Sequence, residues 1–183
     1  MKNMIKTTFV LSVLCWLGFG SASALALDAD VQAKVDAKLK EAQTWAADAA
    51  IVDAVKAHNA GLTPDQAAMT EEKWKTLSVL DSFVRAFTKN AAATFLKTKK
   101  NDQVVEAFLS GADGKKVAFL AKTSNWSHAG KAKHDVPMTG KTWQGTPELD
   151  ESSGLQELQI AVPVLDGGKP IGSLVVGLRL SKL

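Results

Sequence analysis

Two hairpin signals in the second half of the chain constrain the fold most strongly. Short β-like runs at 104–110 and 116–122 flank Gly111-Ala112-Asp113-Gly114. Longer runs at 155–165 and 171–180 flank a loop with the sequence Asp166-Gly167-Gly168-Lys169-Pro170. Asp-Gly and Gly-Gly pairs between β-like runs are typical of tight hairpin turns. The sequence therefore predicts two antiparallel hairpins.

The first half of the chain instead carries helical periodicity. Apolar residues recur every three or four positions over 28–59, which predicts one long amphipathic helix that ends at Gly61. Thr63-Pro64-Asp65 predicts a second helix start, 70–73 begins another short helical piece, and a third helix is predicted over 78–98. The apolar stripe of the first helix consists of Val31, Val35, Leu39, Ala42, Trp45, Ala49, Val52 and Val55.

Helices followed by antiparallel hairpins predict an α+β domain, with a long N-terminal helix and further helices packed on an antiparallel sheet. The chain has 183 residues and contains neither an internal repeat nor a linker-like stretch. This length suits one domain better than two. Residues 27–183 are therefore expected to form a single domain.

Residues 1–26 have the composition of an export signal. Lys2 and Lys6 precede an apolar core over 9–19, and the small residues of 22–26 offer cleavage sites. An uncleaved anchor is the alternative, since 7–27 is just long enough to cross a bilayer. We expect cleavage and a periplasmic or secreted mature protein, because the strictly apolar core is short for a stable span.

Charge and cysteine content exclude several classes of function. Without Lys2 and Lys6, the 22 basic side chains fall to 20 against 19 acidic ones, a net charge of +1. This balance leaves no basic excess for a nucleic-acid partner. Cys15 is the only cysteine and lies in the export signal, so the mature chain is expected to form no disulfide and no thiolate metal site.

Six motifs follow one another in a characteristic order in the second half of the chain. They are Val105-Glu106-Ala107-Phe108-Leu109-Ser110-Gly111-Ala112-Asp113-Gly114, Val117-Ala118-Phe119, Lys122-Thr123-Ser124-Asn125-Trp126, Gly140-Lys141-Thr142-Trp143, Gln159-Ile160-Ala161-Val162-Pro163-Val164 and Gly168-Lys169-Pro170-Ile171-Gly172-Ser173-Leu174. With these motifs, roughly residues 75–183 resemble the Cache family, the extracytoplasmic relatives of PAS sensor domains. The helix that precedes the first strand, with Asn90 and Leu96, also fits the family's layout.

The resemblance implies a single Cache-like sensor domain, with a PAS-like sheet that binds a small molecule. Receptors of this family continue into a transmembrane helix and a signalling domain, whereas only three residues follow Leu180 here. We therefore expect a sensor module without its own output domain. Any signal would then pass through another protein, such as a membrane receptor or a kinase.

The polar stretch 123–150 supplies the candidate ligand-binding residues. Indole faces suit an apolar body or a cation, and lysines suit a carboxylate. Lysines outnumber acids over 123–145, where Asp135 is the only acidic residue, so a small organic anion such as a carboxylate or an amino acid is the expected ligand. The candidate residues are Trp126, His128, Lys131, Lys133, His134, Lys141, Trp143 and Asp150.

Other readings of the same stretch remain open. The lysines would instead form a solvated loop and the tryptophans part of the core, with the pocket filled by the protein's own side chains. The chain would then be a partner-binding regulatory protein of a membrane receptor or kinase, or a homodimer formed through its N-terminal helix. The spacing of His128 and His134 matches no strong metal motif, and no catalytic motif occurs. We expect neither an enzyme nor a metal or other cofactor.

Overall fold

The structure is a computed structural model that describes residues 27–150 and 155–183. The predicted export signal lies outside these residues. In the described part of the chain, helices pack on a six-stranded antiparallel sheet with the order β2-β1-β6-β5-β3, and β4 pairs with β5. The strands are β1 (Val104–Gly111), β2 (Lys116–Phe119), β3 (Trp143–Gln144), β4 (Glu148–Asp150), β5 (Leu155–Asp166) and β6 (Lys169–Arg179).

Both predicted hairpins are present, and so is the α+β fold class. β1 pairs with β2 and β5 pairs with β6, each antiparallel, while β1 and β6 join the two hairpins into one sheet. The helices are α1 (Ala29–Ala46), α2 (Ala49–Ala60), α3 (Pro64–Ala67), α4 (Glu71–Thr76), α5 (Ser82–Ala86), α6 (Ala91–Lys99) and α7 (Ala132–Asp135), with short 3-10 turns at Pro137–Thr139 and Leu180–Lys182.

The prediction of one long helix over 28–59 is wrong, because the chain forms two helices there. Asp48 has an extended backbone, and its side chain accepts a hydrogen bond of 2.9 Å from the backbone N–H of Ala50. An aspartate in this position is a preferred N-cap, so it starts α2 two residues after α1 ends. Periodicity did not reveal the break, because the apolar stripe continues across it.

The predicted helix over 78–98 is also divided. Asn90 caps α6 by accepting a hydrogen bond of 2.9 Å from the N–H of Ala93, and its amide donates one of 2.8 Å to the carbonyl of Val117. The second bond ties the helix start to the edge strand β2. The predicted helix start at Thr63 is confirmed, since Thr63 and Gln66 form a reciprocal capping box.

The two faces of the sheet have different partners. One face carries Leu109, Ile160, Val176 and other apolar side chains, which form a core with α1, α2 and α6. The apolar stripe of α1, which includes Val35, is therefore buried within the chain. The opposite face is covered by α4, α5 and residues 123–142. We call residues 123–142 the cover segment. The candidate site lies on this face.

Within the described ranges, no helix combines the length and the apolar composition that a membrane span requires.

Candidate ligand-binding site

Strand register brings polar side chains together beneath the cover segment. On β1, Glu106, Phe108 and Ser110 alternate with the core residues, as the two-residue period of a strand requires. Their partners on β6 are Gly177, Val175 and Ser173. Gln159 on β5 lies opposite Gly177, and Lys116 on β2 lies opposite Ser110, which places both on the same face.

Lys116 is the most constrained charged residue of this face. Its side chain is fully buried, and its Nζ contacts Nδ1 of the buried His128. The amino group also lies 4.1 Å from the ring centroid of Phe108, on which the imidazole of His128 stacks at 4.6 Å. No carboxylate of the described residues lies within ion-pair distance of Nζ. A cation–π contact and a neutral acceptor therefore take the place of a counter-ion.

Burial dominates the electrostatics of this pair. It lowers the pKa of Lys116 well below the usual range, although Glu106 opposes the effect. Burial, followed by the cation of Lys116, lowers the pKa of His128 to about 2. His128 is therefore neutral at ordinary pH and accepts a hydrogen bond through Nδ1.

A second lysine, Lys133 of the cover segment, binds the sheet through the side-chain amide of Gln159. Nζ of Lys133 donates a hydrogen bond of 2.6 Å to Oε1 of Gln159, and Nε2 of Gln159 donates one of 2.6 Å to Oε2 of Glu106. Burial lowers the pKa of Lys133, while Glu106 and Glu148 act in the opposite direction. The three side chains form a row in which Gln159 separates a cation from a carboxylate.

His134 makes the other polar contact between the cover segment and the sheet. Its Nδ1 lies 2.8 Å from Oγ of Ser173, and the imidazole also has a hydrogen bond with the backbone of Ala112. The ring is buried, and burial lowers the pKa of His134 despite that backbone bond. Nδ1 of the neutral ring thus accepts a hydrogen bond from the hydroxyl of Ser173, and the ring donates one to the carbonyl of Ala112.

Trp126, near the start of the cover segment, belongs to an aromatic cluster. Its ring centroid lies 5.2 Å from that of Trp74 and 5.4 Å from that of Phe87. The backbone N–H groups of Trp126 and Ser127 donate to the carboxylate of Glu71, at 3.0 and 2.7 Å. Trp126 Nε1 and Ser110 Oγ are buried and find no hydrogen-bond partner among the described residues.

An open cleft of about 740 Å³ lies beside the polar contacts, on the same face of the sheet. Trp143 forms one wall, and Glu106 and Gln159 lie on its floor. Gly145 allows the indole to lie close to the backbone, because a Cβ at this position would lie 2.8 Å from Cη2 of Trp143. The other charged residues of the cleft are Lys122, Glu148, Glu157 and Arg179.

The structure brings together some of the predicted site residues and separates others. His128, Lys133 and His134 of the cover segment contact side chains of the sheet, and Trp143 lines the cleft. Trp126 packs in the aromatic cluster, whereas Lys131 and Lys141 are exposed. Asp150 ends β4, and its side chain is not described.

Sequence reasoning missed the residues that the strands contribute. Glu106 lies within an apolar run of the sequence, and Lys116 and Gln159 each directly precede one, so their charged or amide side chains stand next to residues typical of a core. That placement was a signal, but it could not show which face of the sheet each residue occupies. Among the described residues, no cluster of three or more histidine, aspartate or glutamate side chains is arranged to hold a metal ion.

No family model and no curated protein matches this sequence. Solved structures of sensor domains do match. One is the ligand-binding domain of the Campylobacter jejuni chemoreceptor Tlp3 in complex with 4-methylisoleucine, at 14% identity and a TM-score of 0.41, covering 82% of this chain and 54% of that one. Another is the ligand-binding domain of the Pseudomonas aeruginosa amino-acid chemoreceptor PctC in complex with GABA, at 15% identity and a TM-score of 0.42, covering 83% and 58%.

A third match is the sensor domain of the Vibrio cholerae histidine kinase DctB, at 21% identity and a TM-score of 0.38, covering 81% of this chain and 58% of that one. These structural neighbours are ligand-binding or sensor domains of chemoreceptors and of a histidine kinase. This chain spans between 54% and 58% of their length. Such identities and TM-scores are too low to transfer a ligand or a binding residue to this chain.

Proposed function

We propose that this chain is an exported sensor module that binds a small organic anion in the cleft beside Trp143, and that the anion is an amino acid. The observation that carries the proposal is the row formed by Lys133, Gln159 and Glu106, of which Gln159 and Glu106 line the cleft and Lys133 binds Gln159 from the cover segment. A concave site with an aromatic wall and a few converging polar groups is the usual form of a small-molecule site.

The charges of the cleft favour an amino acid over a simple carboxylate. Glu106 and Glu148 both line the cleft and would repel a ligand that carries only negative charge. An amino acid presents a carboxylate and an ammonium group a few ångströms apart. Its carboxylate would take the place of the Gln159 oxygen on Lys133, and its ammonium group would face Glu106. Trp143 would then cover the apolar part of the side chain.

The test is a binding screen followed by calorimetry on matched variants. Each of the twenty amino acids and a set of small mono- and dicarboxylates is added at millimolar concentration while thermal unfolding is recorded. A ligand present at 100 times its Kd raises the free energy of unfolding by about 2.7 kcal/mol. We expect at least one amino acid to stabilise the protein, and simple carboxylates to do so less.

Two variants then locate the site. Trp143→Ala and Lys133→Met should each weaken binding at least tenfold, whereas Lys131→Met, two residues away and exposed, should change the Kd less than twofold. The proposal fails if no compound of the panel binds. It also fails if a ligand binds equally well to both cleft variants.

A second candidate function has one observation in its favour. His128 of the cover segment packs against Lys116 and Phe108 of the sheet, so that this part of the interior is filled by the protein's own side chains. A partner-binding regulatory protein with a self-filled pocket would have such an interior. Light scattering after size exclusion, with and without the ectodomain of a candidate receptor, distinguishes this function, because it requires a complex that forms without any small molecule.

A further inference from the structure

The contacts between the cover segment and the sheet depend on two histidines in their neutral form. His128 accepts from Lys116 of β2, and His134 accepts from Ser173 of β6. Both imidazoles are buried, with exposed fractions of 4% and 2%. The sequence contains three histidines, and the third, His58, lies on α2 and pairs with Asp113 of the β1–β2 turn.

We propose that acid releases the cover segment from the sheet through protonation of His128 and His134, and that this release regulates access to the cleft. The first part of the proposal concerns the protein without ligand. Its regulatory meaning rests on the proposed function, because Lys133 of the cover segment holds Gln159 at the cleft floor.

Protonation is incompatible with the contacts that each ring makes. A proton on Nδ1 of His128 would face the amino group of Lys116, and a proton on Nδ1 of His134 would remove the acceptor that Ser173 uses. Both nitrogens of a charged imidazole are donors, so neither contact survives in its present form.

The surrounding charges oppose a second cation at His128. The charged groups that act on it are Lys116 of β2, Lys131, Lys133 of α7 and His134 of α7. All of these are cationic or become so in acid. Glu106 of β1 and Glu71 of α4 lie near enough to influence Lys116, but neither is among the groups that favour a proton on His128.

The groups around His134 act on its pKa in both directions. Asp135 and Asp113 favour its protonation, whereas Lys116 and burial oppose it. His128 is therefore expected to contribute more than His134 to the release of the cover segment in acid. Burial lowers the pKa of both rings, so acid favours the open state, in which each imidazole returns to a pKa of about 6.5. The closed state is fully favoured above that value and loses stability below it.

Hydrogen exchange at constant temperature tests the proposal directly. Exchange of peptides from the cover segment is compared with that of peptides from β6 at pH 7 and pH 5, after correction for the intrinsic effect of pH. With a folded pKa of about 2 for His128, this residue alone should lower the protection of the cover segment roughly 25-fold over that interval. Global unfolding exposes the same rings, so the protection of β6 should fall by no more than this factor and should stay well above that of the cover segment at both pH values.

Variants identify the histidines as the cause. Asparagine places its Oδ1 near the position of Nδ1 but does not titrate, so His128→Asn should remove most of the loss on acidification, and His134→Asn a smaller part. His58→Gln is the matched control and should behave as the wild type does. The proposal is overturned if cover and β6 peptides show the same protection at pH 5, if the cover segment loses none on acidification, or if His128→Asn responds to acid as the wild type does. Because no ligand is present, these outcomes are independent of the binding screen.

Discussion

Lys133 and Gln159 join the cover segment to the central sheet by a hydrogen bond of 2.6 Å between Nζ and Oε1. The bond connects α7 of the cover segment with a residue in the middle of β5. The amide of Gln159 also donates to Glu106, and these two residues line the cleft. The position of the cover segment and the shape of the cleft are thereby linked.

The carboxylate of Glu71 should anchor the start of the cover segment. It accepts two backbone hydrogen bonds, from Trp126 and Ser127. Glu71→Gln keeps the shape but replaces one acceptor by a donor, which should lower the free energy of unfolding by about 1–3 kcal/mol. Urea denaturation measures this change. Glu72→Gln, on the exposed side of the same helix, should lower the free energy of unfolding less, because the hydrogen bonds of the Glu72 carboxylate are local ones at the start of that helix, and equal effects of the two variants would refute the anchoring role.

Gly145 should matter for ligand binding more than for stability. A Cβ at this position would lie 2.8 Å from Cη2 of Trp143, so Gly145→Ala forces the indole to shift at the cleft wall. We expect a several-fold weaker affinity for the ligand in calorimetry and little change in Tm. Gly61→Ala is the control, since a Cβ there would meet no atom within 4 Å. An unchanged affinity in Gly145→Ala would show that the position of the Trp143 indole does not matter for ligand binding.

Lys116 should make stability rise with pH. Because burial lowers the pKa of Lys116 in the folded state, the unfolded chain binds the extra proton between that lowered pKa and about 10.5. Folding is then favoured as pH rises through this window, by up to about 1.4 kcal/mol per pH unit. Denaturation of the wild type and Lys116→Met at pH 7, 8 and 9 should show a smaller gain in the variant.

Lys131→Met is the control for this series, because Lys131 is exposed and should keep the wild-type slope. A slope for Lys116→Met that equals that of the wild type would mean that the buried amino group does not titrate differently on unfolding.

The hairpins and the fold class could be predicted from the sequence because local signals determine them. Turn residues such as Gly114 and Gly168 adopt positive φ angles of 76° and 83°, which a glycine favours, and apolar runs on either side supply the strands. The helix breaks at Asp48 and Asn90 were missed because a capping side chain does not interrupt the apolar period.

The candidate site was only partly predictable, since it depends on long-range register. The composition of the polar stretch 123–150 proposed His128, Lys133, His134 and Trp143 as candidates, but the sequence could not show that Lys131 is exposed while Lys133 reaches β5. Glu106 and Gln159 are 53 residues apart and meet only because β1 and β5 flank β6.

The most direct measurement of the central claim is an NMR titration that follows the side-chain amide of Gln159. This amide donates to Glu106 and its oxygen accepts from Lys133, so a ligand carboxylate that displaces the oxygen must alter its environment. Addition of a stabilising amino acid should shift the Gln159 side-chain resonances along a saturable curve, together with the indole N–H of Trp143. If both signals stay in place while the ligand demonstrably binds, the ligand does not occupy this cleft and the account is contradicted.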